Sequence, residues 1–167
     1  MNRIRAMVFL LASISLLAGC GMHSPNVAAI VDNVGLPEST VTAVTDGCRE
    51  VLGQEVDRNK IAVLLVRGDI ARKLAETKNI KISKEDLEKV RTEGQLERLE
   101  KNAECAQASE SLATFIATIK KMGEKEFLTA AAKVNVEMNP RYGSWISEEL
   151  APNGQSSISQ IYKRPGK

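Results

Sequence analysis

The chain has 167 residues, of which 43% are hydrophobic and 26% charged, a balance typical of one globular domain and not of a disordered protein. Its 23 Lys and Arg residues nearly balance 21 Asp and Glu residues, so the net charge does not point to nucleic acid as a partner. The single histidine, His23, excludes a metal site built from several histidines.

Residues 1–19 form a short and largely apolar segment at the start of the sequence. Arg3 and Arg5 give a basic start, and the apolar run that follows is too short to span a bilayer about 30 Å thick. The run ends in Leu-Ala-Gly-Cys20, which resembles a lipobox. That resemblance implies cleavage before Cys20 and attachment of diacylglyceryl and palmitoyl chains there; the alternative is an ordinary secretory signal with a chance cysteine. We expect a lipoprotein at the extracytoplasmic face of the cell membrane, within the cell envelope.

Residues 20–26 are predicted to be a lipidated tether. Loss of Arg3 and Arg5 leaves 21 of the 23 basic residues, which equals the 21 acidic ones, so lipid and not a polybasic patch would hold the protein at the membrane. Six residues separate Cys20 from Val27 and reach at most ~20 Å, which keeps the domain close to the membrane. His23 lies in this tether and is expected to be a solvated linker residue.

Hydrophobic periodicity predicts a strand, a set of helices and a second strand in the mature chain. Residues 27–31 favour a strand, and 32–37, with Gly35 and Pro37, favour a turn. Asp57 and Ser83 are candidate helix N-caps, and Asp86 completes a capping box with Ser83. The predicted helices cover 38–52, 59–78, 84–93, 103–122 and 125–133, and a second strand covers 134–138.

These elements predict a mainly α fold, a small helical bundle closed by a short two-stranded pairing of 27–31 with 134–138. Pairing would satisfy the backbone groups of the two short strands; the alternative is extended loop. The second helix is apolar over more than half its circumference, and Gly68 on that face would let a neighbour approach closely. The domain is expected to cover 27–150, and 151–167 to be a loose tail.

Cys48 and Cys105 each lie on an apolar helical face. With Cys20 lipidated, this even pair in an exported domain favours a disulfide, and the alternative is two buried free thiols. The sequence lacks a phosphate-binding loop, a zinc-protease motif, a nucleophile elbow and a Cys-x-x-Cys pair. We therefore expect no enzymatic activity, no metal and no cofactor.

Three segments carry a resemblance to a known family. They are the Ala-Ala-Ile-Val-Asp run ending at Asp32, the Gly-Leu-Pro-Glu-Ser run ending at Ser39, and the run Val-Glu-Met-Asn-Pro-Arg-Tyr-Gly-Ser-Trp ending at Trp145. Together they resemble actinobacterial lipoproteins whose domain is similar to the N-terminal chaperone domain of SurA. The resemblance covers 27–145 and is most specific at 139–143. It implies a helical bundle closed by short strands that binds extended, unfolded polypeptide in the cell envelope.

The resemblance does not imply isomerase activity, because the segment 122–134 has no room for a parvulin domain. Tyr142 and Trp145 are the candidate peptide-binding residues; the alternative is that they plug the open end of the bundle. A second function remains open, that of a structural or adaptor lipoprotein docking on one envelope protein. An apolar groove would favour peptide binding, and a flat patch would favour a dedicated partner.

Overall fold

The structure, a computed structural model, describes residues 24–154. Within this range there are five α-helices: α1 (Glu38–Leu52), α2 (Arg58–Thr77), α3 (Lys84–Glu93), α4 (Ala103–Met122) and α5 (Glu124–Ala131). Short 3₁₀ turns cover Glu97–Lys101 and Pro140–Tyr142. The strands are β1 (Val27–Val31), β2 (Val34–Pro37), β3 (Val136–Met138), β4 (Trp145–Ile146) and β5 (Ala151–Pro152). The predicted bounds of the five helices agree with these to within two residues.

The first and last parts of the bundle are joined by a three-stranded antiparallel sheet in the order β2-β1-β3. Ala29 lies opposite Met138 and Val31 opposite Val136. Ala29, Val31 and Met138 are buried, so the sheet covers one side of the helical core. The predicted fold class, a mainly α bundle closed by pairing of the terminal strands, is confirmed.

The turn predicted over 32–37 is wrong, because only two of its residues turn. Asp32 (φ 45°) and Asn33 (φ 71°) both adopt the left-handed conformation that a two-residue hairpin requires. The chain then returns along β1 as β2, and Pro37, which ends β2, is the N-cap residue of α1. The tail is also shorter than expected, since Ala151 and Pro152 pair with β4.

The helical core is built on α2, which lies against α4. The side chains that α2 buries include Ile61, Leu65, Val66, Ile70, Ala71 and Leu74. Where the two helices are closest, a Cβ placed on Gly68 would lie 2.6 Å from the Cβ of Ser111, so only glycine fits. This confirms the close approach expected at Gly68.

The apolar face predicted for α4 is only partly correct. Cys105 is buried as expected, and so is Ala108, but the larger Leu112, Phe115, Ile116 and Ile119 on the same face are only partly covered. Small side chains occupy the buried face, because α4 packs closely against α2 at Ser111 and against Val90 of α3 at Ala113 and Ala117. The small residues buried on α4 are Ala108, Ser109, Ser111, Ala113, Thr114, Ala117 and Thr118.

Candidate functional site

Residues 139–143 are the most specific part of the family resemblance. In the structure they hold the segment after β3 against β1, near the start of the described residues. Asn139 is buried; its Nδ2 donates to the carbonyl of Val27 at 3.0 Å, and its backbone N–H donates to the carbonyl of Ala28 at 2.8 Å. Its Oδ1 accepts from the backbone N–H and the Nε of Arg141, both at 3.2 Å. The amide nitrogen of Asn139 thus holds this segment beside β1, and the amide oxygen holds the turn that follows it.

Three donor groups surround one carboxylate oxygen of Glu38, which lies at the start of α1. Its Oε1 accepts from the hydroxyl of Tyr142 at 2.6 Å and from Nη2 of Arg58 at 2.5 Å, and Nη1 of Arg141 lies 3.3 Å away. Arg58 Nε also donates to the Tyr142 hydroxyl at 3.1 Å. We call Glu38, Arg58, Asn139, Arg141 and Tyr142 the terminal clamp.

The environment of the terminal clamp changes two pKa values. Burial, reinforced by the hydrogen bond to Glu38, raises the pKa of Tyr142 above its ordinary value. The hydrogen bond from Arg58 to Tyr142, together with Glu38, raises the pKa of Arg58 despite its partial burial. Tyr142 is therefore neutral and Arg58 charged at neutral pH, which suits a structural network.

Tyr142 does not form an exposed peptide-binding surface. It is 5% exposed and belongs to the main hydrophobic core, which is the position expected of a plug; peptide binding by Tyr142 stays a prediction. Trp145 is partly buried and packs against the same core. Its indole N–H is buried and has no hydrogen-bond partner among the described residues.

Cys48 on α1 and Cys105 on α4 are joined in the structure, with their sulfur atoms 2.01 Å apart and their Cα atoms 4.7 Å apart. Both residues are buried. Beside them, Asn102 caps α4 by accepting from the backbone N–H groups of Glu104 and Cys105, each at 3.0 Å. The pair therefore links two helices at the start of α4.

A groove of about 830 Å³ lies between the C-terminal half of α2 and α5, within the size range of ligand sites. We call it the α2–α5 groove. Leu74 and Val134 are buried core residues at its floor, and Met122 and Ala130 are partly buried beside them. Its rim is charged, and the charged rim residues are Asp32, Lys73, Lys78, Glu124, Lys125, Glu126 and Lys133.

The ion pairs on this rim are loose. Lys73 Nζ lies 3.5 Å from Asp32 Oδ2, and Lys78 Nζ lies 3.5 Å from Glu126 Oε1. Such partly exposed pairs contribute about 0–1 kcal/mol, so an occupant can replace either partner at little cost. The rim lysines are therefore available to pair with a ligand. The apolar side chains at the floor form no hydrogen bonds with water, so burying them under a ligand is favourable.

Sequence reasoning did not find the α2–α5 groove. The hydrophobic pattern of α5 predicts that Phe127, Leu128 and Ala131 face inward; Phe127 and Ala131 are buried, but Leu128 is 41% exposed. Ala130, which it did not single out, lies at the floor instead. One sequence signal could have indicated the groove. The helix α5 is short, and its small residues Ala130 and Ala131 leave space above the core.

Cys20, the expected lipidation site, lies outside the described residues, as do His23 and Tyr162. Within 24–154, the helices are too short or too polar to cross a membrane. The same residues contain no group of three or more His, Cys, Asp or Glu side chains placed to hold a metal ion. Comparison of the chain with protein-family models, curated proteins and solved structures finds no match.

Proposed function

We propose that this protein is a lipid-anchored lipoprotein of the cell envelope whose domain holds segments of unfolded or extended polypeptide, without isomerase activity. One observation carries the proposal: the α2–α5 groove is concave, has an apolar floor and is rimmed by charged side chains. Extended polypeptide has the matching chemistry, since its apolar side chains can contact the floor while its backbone stays at the polar rim. The family resemblance of the sequence agrees with this function.

The position of the groove supports the same proposal. The described chain starts at Ser24, beside the terminal clamp, where Arg141 Nη2 lies 3.5 Å from the carbonyl of Pro25. Asp32, on the groove rim, lies just past the other end of β1, and a five-residue strand is about 16 Å long. A lipid on Cys20 would therefore attach near one end of β1, and the groove would open near the other, toward the aqueous envelope.

The alternative is an adaptor that docks on one envelope protein. The adaptor would use the same groove for a single partner. An adaptor and a chaperone therefore differ in the number of different proteins that they bind. Photocrosslinking in whole cells from Thr129, which is exposed and lines the groove, separates the two functions. Many unrelated exported proteins would indicate a chaperone, and one protein would indicate an adaptor.

The proposal is tested with the full mature chain carrying Cys20→Ser, which keeps the protein soluble. We expect it to delay aggregation of a reduced, unfolded model protein and to leave the rate of proline isomerisation unchanged. Ala130→Trp should fill the groove and abolish this holding activity. Leu128→Trp is the matched control, because Leu128 lies on the same helix but is 41% exposed and does not line the groove.

The melting temperature of each variant shows whether it is folded. A folded Ala130→Trp variant that holds the model protein as well as the parent would contradict a role for this groove. A parent protein without effect at several-fold excess would contradict polypeptide holding and favour the adaptor.

A further inference from the structure

A second depression, of about 440 Å³, lies on the first half of α2, whereas the α2–α5 groove lies on the second half. It is formed between α2 and β5, and we call it the α2–β5 cleft. Its apolar side chains come from both elements, and its charged side chains come only from α2. The lining includes Lys60, Val63, Leu64, Arg67, Ala151 and Pro152.

Arg67 is fixed in this cleft by contacts on one side of its guanidinium. Its Nε donates to the carbonyl of Leu150 at 2.8 Å, and its Cζ lies 5.9 Å from the centroid of the Phe115 ring. Its two Nη groups form no hydrogen bond or ion pair with any described residue. A guanidinium held in this way keeps one edge for a ligand and loses little side-chain freedom on binding.

The cleft carries positive charge that no carboxylate of its lining offsets. Lys60 and Arg67 are its charged lining residues, and neither forms an ion pair within 24–154. Burial lowers the pKa of the Arg67 guanidinium, with no carboxylate to oppose the effect. Of the carboxylates nearby in sequence, Asp57 caps α2, and Glu148 and Glu149 are exposed in the β4–β5 turn, outside the lining. The cleft therefore favours an anionic ligand.

The lining also indicates what the anion is attached to. The planar guanidinium of Arg67 matches the oxygens of a phosphate or a carboxylate, which it can bind with two parallel hydrogen bonds. Val63, Leu64 and Pro152 line the same cleft and offer apolar surface beside that charge. A ligand with an anionic group next to hydrocarbon uses both features, and a phospholipid at its headgroup has this chemistry.

The position of the cleft points to the same ligand. Arg58, the first residue of α2, belongs to the terminal clamp, and Lys60 follows two residues later. Arg141 of the clamp lies 3.5 Å from the carbonyl of Pro25, which is five residues after Cys20. The cleft is thus at the end of the domain where the tether enters, and the α2–α5 groove is at the other end.

We propose that the α2–β5 cleft binds the headgroup of an anionic phospholipid, with Arg67 and Lys60 on the phosphate. Val63, Leu64 and Pro152 contact the glycerol and the first methylene groups of the acyl chains. This inference rests on the proposed function, because the lipid on Cys20 brings the domain to the membrane. Two basic residues add only a weak and salt-sensitive attraction, so that lipid remains the anchor that survives washing.

Vesicles test the inference with the soluble Cys20→Ser protein, which has no lipid of its own. Binding to phosphatidylglycerol or phosphatidylcholine vesicles is measured by flotation at low salt. It is also followed by the fluorescence of Trp145, the only tryptophan, which lies opposite Pro152 in the β4–β5 pair. Binding to phosphatidylglycerol should be at least about fivefold tighter and should weaken as salt is added. Equal binding to both lipids, or binding to neither, overturns the inference.

Variants locate the binding to the cleft. Arg67→Gln should weaken binding to phosphatidylglycerol by about fivefold or more, and Lys60→Gln by about fivefold. Lys101→Gln is the matched control, because Lys101 is exposed, lies outside the cleft and forms no ion pair within 24–154. The melting temperature shows whether each variant is folded, and Lys60→Gln, at an exposed residue, keeps the test open if Arg67→Gln unfolds. An equal loss in the Lys101→Gln control would indicate diffuse surface charge and overturn the site.

Two further ligands separate the lipid from other anions. Inorganic phosphate that changes Trp145 fluorescence in a protein that binds no vesicle would assign the cleft to a free anion and overturn the inference. A short apolar peptide with a free C-terminal carboxylate that competes with phosphatidylglycerol and binds more tightly would assign the cleft to polypeptide, with the same consequence.

The proposed function can fail or stand independently of this inference. If the Cys20→Ser protein holds a model polypeptide but binds no vesicle, only the lipid-binding cleft is wrong. If the unmodified sequence is absent from washed membranes, the lipid anchor itself is wrong. Arg67→Gln and Lys60→Gln should leave polypeptide holding unchanged, because neither residue lines the α2–α5 groove.

Discussion

The hydroxyl of Tyr142 donates to Oε1 of Glu38 at 2.6 Å, although the two residues are 104 positions apart in the chain. The contact joins the first turn of α1 to the segment that follows β3. Because Arg58 at the start of α2 shares both partners, one buried hydroxyl couples three parts of the fold. The segment with the most specific sequence pattern thus has a structural role.

We expect Tyr142→Phe to lower the free energy of unfolding by about 1–3 kcal/mol, because it removes the hydroxyl and leaves Glu38 and Arg58 with fewer partners. Urea unfolding measures the change, and Tyr162→Phe is the control. Polypeptide binding should be unaffected while the variant is folded. Loss of polypeptide binding with unchanged stability would indicate that Tyr142 contacts the bound peptide.

The raised pKa of Tyr142 gives a prediction for alkaline pH. The fold favours the neutral phenol, so this residue's stabilising contribution is complete below the ordinary value of 10.0 and is lost as pH rises above it. In a Tyr162→Phe variant, Tyr142 is the only tyrosine, and its ionisation is followed by ultraviolet absorbance. The midpoint should lie above 10.0 in the folded protein and return toward that value in urea.

The Cys48–Cys105 pair should be oxidised in the mature protein. Thiol titration of the denatured, unreduced Cys20→Ser variant should find neither thiol free, and two titratable thiols would contradict the pairing. The bond closes a loop of 57 positions, for which loop entropy gives an upper figure of about 4 kcal/mol. Replacing both cysteines with serine should therefore lower the free energy of unfolding by up to that amount.

The second helix offers a matched pair of leucines. Leu65 is 4% exposed in the core, whereas its neighbour Leu64 is only partly buried. Leu65→Ala should cost about 2–5 kcal/mol in stability, and Leu64→Ala clearly less, because only the first leaves a closed cavity. Equal costs in thermal or urea unfolding would show that the packing of α2 differs from the one described.

The lipid anchor is tested in cells. Cys20→Ser should move the protein from washed membranes to the soluble envelope fraction, because the variant lacks the cysteine that the lipobox pattern marks for lipidation. A conservative change elsewhere in the tether, His23→Gln, should leave the protein in the membrane. Retention of the Cys20→Ser protein in washed membranes would exclude Cys20 as the main anchor.

The helices of this fold are predictable from sequence because their signals are local. Asp57 accepts from the backbone N–H of Asn59, and Ser83 and Asp86 form both hydrogen bonds of the predicted capping box. The pairing of the terminal strands also follows from a simple requirement, that two short strands satisfy their backbone groups. The helix signals depend on neighbours within a few residues. The strand pairing depends on the general requirement that backbone N–H and C=O groups be hydrogen-bonded.

The features that escaped sequence analysis depend on distant residues. The burial of Tyr142 depends on Glu38 and Arg58, which no local pattern connects to it. The α2–α5 groove is lined by residues from two helices that are distant in the chain, and its lysines have the sequence pattern of solvent-exposed helix faces. The β2 strand was missed for another reason: Gly35 and Pro37 indicate a turn, whereas Asp32 and Asn33 make it.

The join between β1 and the segment after β3 also constrains the order of folding. Asn139 bonds to Val27, 112 positions earlier, so β1 leaves the ribosome long before the partner that completes its second edge. Until then β1 has only β2 beside it, and a two-stranded hairpin is marginal in water. The helices can form from local contacts, whereas closure of the sheet needs almost the whole domain, so we expect closure to be the later and slower step. A truncation before Val136 would leave that edge of β1 open to other strands.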